Sequence, residues 1–302
     1  MTTFILLTIT GLGLGAMYFL IASGLSLIYG LMGVLNFAHG AFLTVGSYAS
    51  WWMAENVFDG VHTVLWRFLL GAICGLAAGA VFAAIVELVL IRPLYQRHIE
   101  QVLVTVGLSL AFVALIQGIW GPDVHAYAVP SWLHDTTTLF GAHIPNDRWI
   151  EIAAAVAVLA GLQAFLRMTR YGLIIRAGVE NRAMVTALGI DVRKAFTLVF
   201  AVGGVAAALA GVLSGVYYNT IDPNQGTSLL IFAFIVVVIG GLGSIGGSAV
   251  AAVVVGLLQQ YANYYGPNWF NIDLGFGDLA VLLLLALVLL ARPRGLAGAF
   301  AT

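Results

Sequence analysis

Asn36 and His39 are the residues of this chain best placed to do chemistry: an amide and an imidazole three positions apart in an otherwise apolar run. On a helix, residues three apart share a face. A polar pair inside an apolar segment is costly unless it meets a partner helix or a water-filled path. Two roles satisfy that requirement. One is lining or gating a polar path, with Tyr29 and Tyr48 as further pathway candidates; the other is hydrogen bonding between helices that fixes their packing. A break at Gly33 or Gly40 would free backbone groups that must themselves line a cavity, which favours the path. A metal role for His39 is not expected, because the chain has one cysteine, Cys74, and no second histidine near position 39.

Other constellations are less specific. Glu87 precedes Arg92 by five positions at the end of an apolar segment, an arrangement suited to a structural ion pair at the headgroup level. His125, His134 and His143 recur every nine residues, which fits no common metal pattern, so each reads as a solvated loop residue. Ser23, Ser26, His39 and Glu87 form no readable triad, and His-Glu-x-x-His is missing, which argues against an intramembrane enzyme. Gly240 to Gly247 lacks the lysine of a phosphate-cradling loop and reads as a tight turn between helices. The one lysine, Lys194, follows no Gly-rich loop, so the chain cannot hydrolyse a nucleotide through that motif.

These residues sit in a chain of 302 that is 62% hydrophobic and 8% charged, with mean hydropathy +1.03. Soluble domains are usually about 45 to 50% apolar, so the expected class is all-α, a polytopic transmembrane helical bundle forming one transmembrane domain over residues 1–302. A hydrocarbon core of about 30 Å needs about 20 apolar residues per helix. That ruler lays out nine segments, at 4–29, 34–54, 66–91, 101–120, 149–166, 195–217, 228–240, 247–265 and 278–291, with 34–54 and 228–240 the weakest; eight or nine crossings are expected. The first Lys or Arg is Arg67, so the first segment is expected to remain a span, not a cleaved leader.

Charge then assigns sides. Ten of the twelve basic residues fall at Arg92 and Arg97, at Arg167 to Lys194, and at Arg292 and Arg294, while acids such as Asp59, Asp123, Asp147, Asp222 and Asp278 occupy the alternate loops. Short cytoplasmic loops retain Lys and Arg, which places the basic loops and the C-terminus inside. Tryptophan favours the headgroup level, and Trp51, Trp52, Trp66, Trp120, Trp149 and Trp269 all flank the other side. Glycines four apart, such as Gly71, Gly75 and Gly79, offer flat ridges for close helix packing.

The stretch from Arg167 to Lys194 carries six basic residues against two acids and is too long for a turn. Ala183, Met184, Ala187 and Leu188 recur at helical spacing before Gly189, the pattern of a short amphipathic helix with a glycine stop. It offers an apolar stripe to a soluble partner, or rests on lipid headgroups.

Arg170-Tyr171-Gly172-Leu173, Arg176-Ala177, Glu180-Asn181 and Ala187-Leu188-Gly189-Ile190-Asp191 together resemble the cytoplasmic loop of permeases in branched-chain amino-acid ABC importers. Asn36-Phe37-Ala38-His39-Gly40, Glu87 with Arg92-Pro93-Leu94, Gly240 to Gly247, and Arg292-Pro293-Arg294-Gly295-Leu296 match the family in the same order. The first of these is similar to the LivH-type subunit rather than its LivM-type companion; Ala41 departs from the pattern, since many relatives carry Glu there. The resemblance implies a multi-pass protein of a bacterial inner membrane that moves branched-chain or related hydrophobic amino acids. Urea or amides, aromatic or organic acids, and an ATP-independent channel or secondary transporter are the alternatives. It also implies Arg176, Glu180, Asn181, Arg182, Leu188, Gly189, Asp191 and Arg193 as the coupling residues. The implied partners are a LivM-type permease, two ABC ATPases that use ATP and Mg, a periplasmic binding protein docking near residues 121–148, and membrane lipid. No cofactor in this chain and no nucleic acid are implied. Replacing Glu180 or Gly189 is expected to lower solute uptake while membrane insertion stays normal; wild-type uptake in both variants defeats the coupling assignment.

Overall fold

Where no water reaches the backbone, a chain satisfies its N–H and C=O groups internally, and apolar runs fold as helices. A computed structural model describes residues 2–33, 35–95, 97–180, 182–189, 192–270 and 275–297. Its helices are α1 (Thr2–Met32), α2 (His39–Trp52), α3 (Val64–Val86), α4 (His98–Trp120), α5 (Asn146–Met168), α6 (Arg170–Glu180), α7 (Arg182–Ala187), α8 (Val192–Tyr218), α9 (Gln225–Gly240), α10 (Ile245–Phe270) and α11 (Phe276–Ala291). Every one of the nine expected segments falls on a helix, but they are not equivalent. Among the described residues six are long and apolar enough to cross a membrane: α1, α3 with its continuation to Leu94, α4, α5, α8 and α10. Helices α2, α9 and α11 have 14, 16 and 16 residues. At about 1.5 Å per residue, α9 and α11 reach only some 24 Å, short of a full hydrocarbon core, while α2 runs on without interruption as a π turn, Met53–Val57.

The helices form a centre and a rim. In α1 and α8, 67% of the most apolar window is buried, against 22% in α4 and 17% in α5. The rim presents bare apolar side chains, Leu103, Leu110 and Leu115 on α4 and Leu282, Leu283, Leu287 and Leu290 on α11, as a lipid-facing surface requires. Helix α1 packs against α10, α8, α5 and α9, and α2 lies against both α3 and α8.

The seam around α2 is built from residues without bulk. Positions for a Cβ at Gly71, Gly75 and Gly79 of α3 lie 2.6 Å from Ser50 O, 2.9 Å from Ser50 Cβ and 2.5 Å from Ala208 Cβ in turn. A Cβ at Gly46 would lie 2.5 Å from both Cα and Cβ of Ala208. The glycine ridge read from spacing is therefore a three-helix contact in which backbones nearly touch.

Two interruptions shape the site. After α1, Gly33 takes φ +69° and residues 35–38 are not helical, so α2 starts only at His39. Beyond Val86, α3 continues as a π turn, Glu87–Ile91, and a 3₁₀ turn, Arg92–Leu94; π turns inside helices are frequent at functional positions.

The segment after α4 is not only loop. Strand β1 (His125–Ala126) pairs antiparallel with β4 (Thr220–Ile221), His125 opposite Ile221. Strands β2 (Thr136–Leu139) and β3 (Ala142–Pro145) form a hairpin whose turn residues, Phe140 and Gly141, both have positive φ, at 49° and 82°, the geometry that matches strand twist. Gly240 to Gly247 is a helix-to-helix turn in which Gly241 and Gly243 take φ +100° and +82°.

Gly46→Val is expected to lower the thermal stability of detergent-solubilised protein by about 1 to 3 kcal/mol through overpacking. Gly107→Ala in α4, which has nothing within 4 Å of its Cβ position, is expected to be neutral or stabilising by up to about 1 kcal/mol. Equal melting shifts for the two variants would contradict the packing described.

Candidate functional site

The break between α1 and α2 decides what Asn36 does. Its Oδ1 accepts the Ala38 N–H at 3.0 Å and its carbonyl accepts the His39 N–H at 3.2 Å, so the side chain shapes the entry into α2. Asn36 thus precedes the helix, and the shared helix face expected for Asn36 and His39 does not form, because residues 35–38 are not helical and α2 starts only at His39. The Asn36 Nδ2 is buried without a partner, and so is the Oε1 of Gln101. Both residues line a small cavity with Thr105, Ile91, Leu35 and Phe200. Thr105 accepts the Phe37 N–H through Oγ1 at 3.3 Å.

His39 lies at the centre of the bundle with no exposed surface. Its Nε2 is 3.1 Å from the Ile21 carbonyl of α1; a carbonyl only accepts, so Nε2 carries the proton. Nδ1 is buried and unpartnered. The slot for the ring exists because α1 and α8 approach closely there: a Cβ at Gly24 would meet Gly203 O at 2.7 Å and His39 Cε1 at 3.0 Å. Tyr48, at the far end of α2, belongs to a different cluster, with its ring centroid 5.5 Å from Trp120 and 6.2 Å from His125. His125 stacks on Trp51 at 4.6 Å and bonds to Trp120 O at 3.1 Å, so it is not the solvated residue its spacing suggested. Tyr29 lies near the turn at Gly243. The four pathway candidates therefore occupy successive places along the bundle, not one pocket.

Glu87 has no exposed surface. Arg92 Nε donates to its Oε1 at 3.4 Å, Thr197 Oγ1 donates to its Oε2 at 2.7 Å, and Arg92 Nη2 reaches Thr197 Oγ1 at 3.0 Å. The Tyr95 hydroxyl donates to Glu87 Oε1, and burial first, then that hydrogen bond, holds it protonated well above the usual tyrosine range. The pair read from sequence is thus a four-residue network joining the end of α3 to α8. Thr197 and Tyr95 were not legible, because their partners are distant in sequence or lie beyond a π turn.

A second buried cluster was missed. Arg148 Nη1 lies 3.3 Å from Asp147 and 3.4 Å from Glu151, with its Cζ 3.4 Å from the Tyr217 ring centroid. Gly13 of α1 leaves the room, a Cβ there falling 2.8 Å from Arg148 Cδ. The signal was present as acids one before and three after Arg148 on one helix.

At the end of the bundle carrying the basic residues, α5 folds sharply into α6. Thr169 accepts the Gly172 N–H at 2.9 Å through Oγ1, a side-chain cap of the first turn. Helix α7 ends at Ala187 and Gly189 takes φ +79°. Met168, Leu173, Met184 and Leu188 are exposed there, as are Arg176 and Arg193. Glu180 ends α6 and Arg182 begins α7; Asn181 and Asp191 lie outside the described residues. Helix α8, which carries Thr197 of the Glu87 network, begins directly after this surface.

The chain matches the family described as branched-chain amino acid transport system, permease component, over residues 7–292. It is 30% identical over 298 residues to the high-affinity branched-chain amino acid transport system permease protein LivH of Salmonella typhimurium, covering 95% of this chain and 93% of that protein. The LivH of Escherichia coli K12 gives the same identity and coverage. BraD of Pseudomonas aeruginosa, a permease protein of the same printed description, is 30% identical over 96% of this chain and 94% of its own. No solved structure matches.

A double-mutant cycle with Glu87→Gln and Thr197→Val, read by thermal unfolding, is expected to give a coupling of about 0.5 to 3 kcal/mol. Strict additivity would mean that the α3-to-α8 link does not exist.

Proposed function

Since the chain belongs to the family of branched-chain amino acid transport permease components, we propose that it is the membrane-spanning subunit of an ATP-driven importer and passes branched-chain or related hydrophobic amino acids through a bacterial inner membrane. The observation that carries this reading is the match of nearly the whole chain, residues 7–292, to that family. The relatives' printed names supply the solute class, and the clustering of Lys and Arg in these loops supports a cytoplasmic side for α6, α7 and the C-terminus.

In this reading ATP is hydrolysed, with Mg, by two partner ATPase chains, a LivM-type permease completes the membrane part, and a periplasmic binding protein delivers the solute near residues 121–148. The exposed Met184 and Leu188, flanked by Arg176 and Arg193, form the surface an ATPase grips. Force applied there enters α8 and, through Thr197, Glu87 and Arg92, reaches α3. Both helices hold α2 across the glycine seam, so their relative shift moves His39 and the chain break at Asn36. Alternating access of this kind needs two packings whose affinities for the ATPase differ.

The test is purification of this chain from its native membrane in gentle detergent, with its companions identified and ATP hydrolysis assayed with and without leucine-loaded binding protein. Copurifying ATPases whose hydrolysis rises with the loaded binding protein are the expected result. A chain that purifies alone and moves leucine in liposomes without ATP would make it a channel or secondary transporter instead.

A further inference from the structure

The bundle end that carries the acidic residues holds a cavity of about 360 Å³, lined by Val124, Tyr218, Asp222, Asn224, Gln225 and Ser228 among others. That volume falls in the range of small-molecule sites, about 300 to 1,000 Å³. Its chemistry differs from the rest of the surface. Where α4 and α11 show leucine to the outside, the first turns of α9 leave Asn224, Thr227 and Ser228 exposed. A polar helix face in a membrane bundle looks onto water or a solute path, not lipid.

Asp222 is only partly committed. Its Oδ1 accepts the Asn224 N–H at 2.6 Å and its carbonyl accepts the Gln225 N–H at 3.1 Å, while no basic side chain among the described residues forms an ion pair with it. Gln225 Oε1 is buried with no hydrogen-bond partner among the described residues. The Tyr48 hydroxyl, on a residue 1% exposed, is likewise unpartnered. A free carboxylate oxygen, an orphan amide oxygen and the hydroxyls of Tyr218 and Ser228 make an acceptor-rich site. No group of three or more His, Cys, Asp or Glu suited to a metal exists among the described residues, so the complementary guest is an ammonium group with three N–H donors. In the first turn of α9 the Gln225 and Ser228 N–H groups are taken by the Asp222 and Asn224 carbonyls, which leaves those of Gly226 and Thr227 and the positive end of the helix dipole to suit a carboxylate.

We propose that this cavity is the solute's admission site and that Asp222, with Gln225, receives the ammonium group of a zwitterionic amino acid whose carboxylate turns toward the start of α9. The proposal rests on the amino-acid import reading above and adds the residues that recognise the solute's common end. Side-chain selection is then left to other surfaces, since every α-amino acid offers the same two charges.

The test uses the complete transporter in proteoliposomes with leucine-loaded binding protein, comparing wild type, Asp222→Asn, Asp222→Glu and Gln225→Leu. Asp222→Asn keeps the Oδ1 acceptor for Asn224 and removes the charge. It is expected to lower leucine uptake about tenfold or more, the loss of a charge-assisted hydrogen bond, while binding-protein-stimulated ATP hydrolysis persists. Asp222→Glu is expected to restore most of the uptake, and Gln225→Leu to reduce it less than Asp222→Asn does. Wild-type uptake in Asp222→Asn, or uptake and hydrolysis falling in parallel in that variant, would overturn the site. A wild-type complex that accumulates no leucine would instead overturn the import reading, which separates the two failures.

Discussion

Close approach of α2 to α3 and α8 is the contact on which the rest of this structure depends. In lipid no hydrophobic force drives one helix against another, so association relies on dispersion contacts between backbones brought near each other. Gly46, Gly71, Gly75 and Gly79 with Ala208 supply that proximity. With ten of its 14 residues buried, α2 is held by its helical neighbours. The same closeness seats His39 between α1 and α8, and the non-helical entry to α2 meets α4 where the Phe37 N–H donates to Thr105 Oγ1.

Around this seam the buried polar groups fall into two kinds. Glu87, Arg92, Tyr95 and Thr197 are mutually satisfied, and Arg148 pairs with Asp147 and Glu151 over the Tyr217 ring while its Nε stays unpartnered; such clusters fix relative helix positions. Asn36 Nδ2, Gln101 Oε1, His39 Nδ1, Tyr48 OH and Gln225 Oε1 are buried and unpartnered. A buried polar atom left unpaired is destabilising by about 1 to 3 kcal/mol; four of these five lie on α2, its entry and the start of α9, and Gln101 lies on α4. Satisfied groups hold the frame, whereas unpartnered atoms also occur at Ser26, Trp51, Arg148 and Ser248 and so are spread through the bundle.

Function divides along the same lines. Exposed apolar and basic groups on α6 and α7 sit at one end, the acceptor-rich cavity by Asp222 at the other, and α8 runs between them with its residues engaged at both, Thr197 near its start and Tyr217 and Tyr218 at its end. In the import reading proposed above, α8, largely buried and tied at both ends, is the element that would carry a displacement at the basic end to the cavity without any contact between the two sites.

Much of this was legible in the chain itself. Hydropathy decided that helices form, since an apolar run of twenty residues has no other way to satisfy its backbone in hydrocarbon. Charge placement separated the two ends, the Gly-x₃-Gly spacing of α3 named a packing face, and Gly189 marked the end of α7. These are properties of composition and local period, which a linear sequence records in full. The length of α2, the non-helical entry at Asn36, the Glu87 link to Thr197 110 positions away, the stacking of His125 on Trp51, and the meeting of Val124 with Asp222 at one cavity were decided only by tertiary structure. Each depends on which helices become neighbours and how closely they approach, and pairing between distant segments leaves no periodic trace in one sequence.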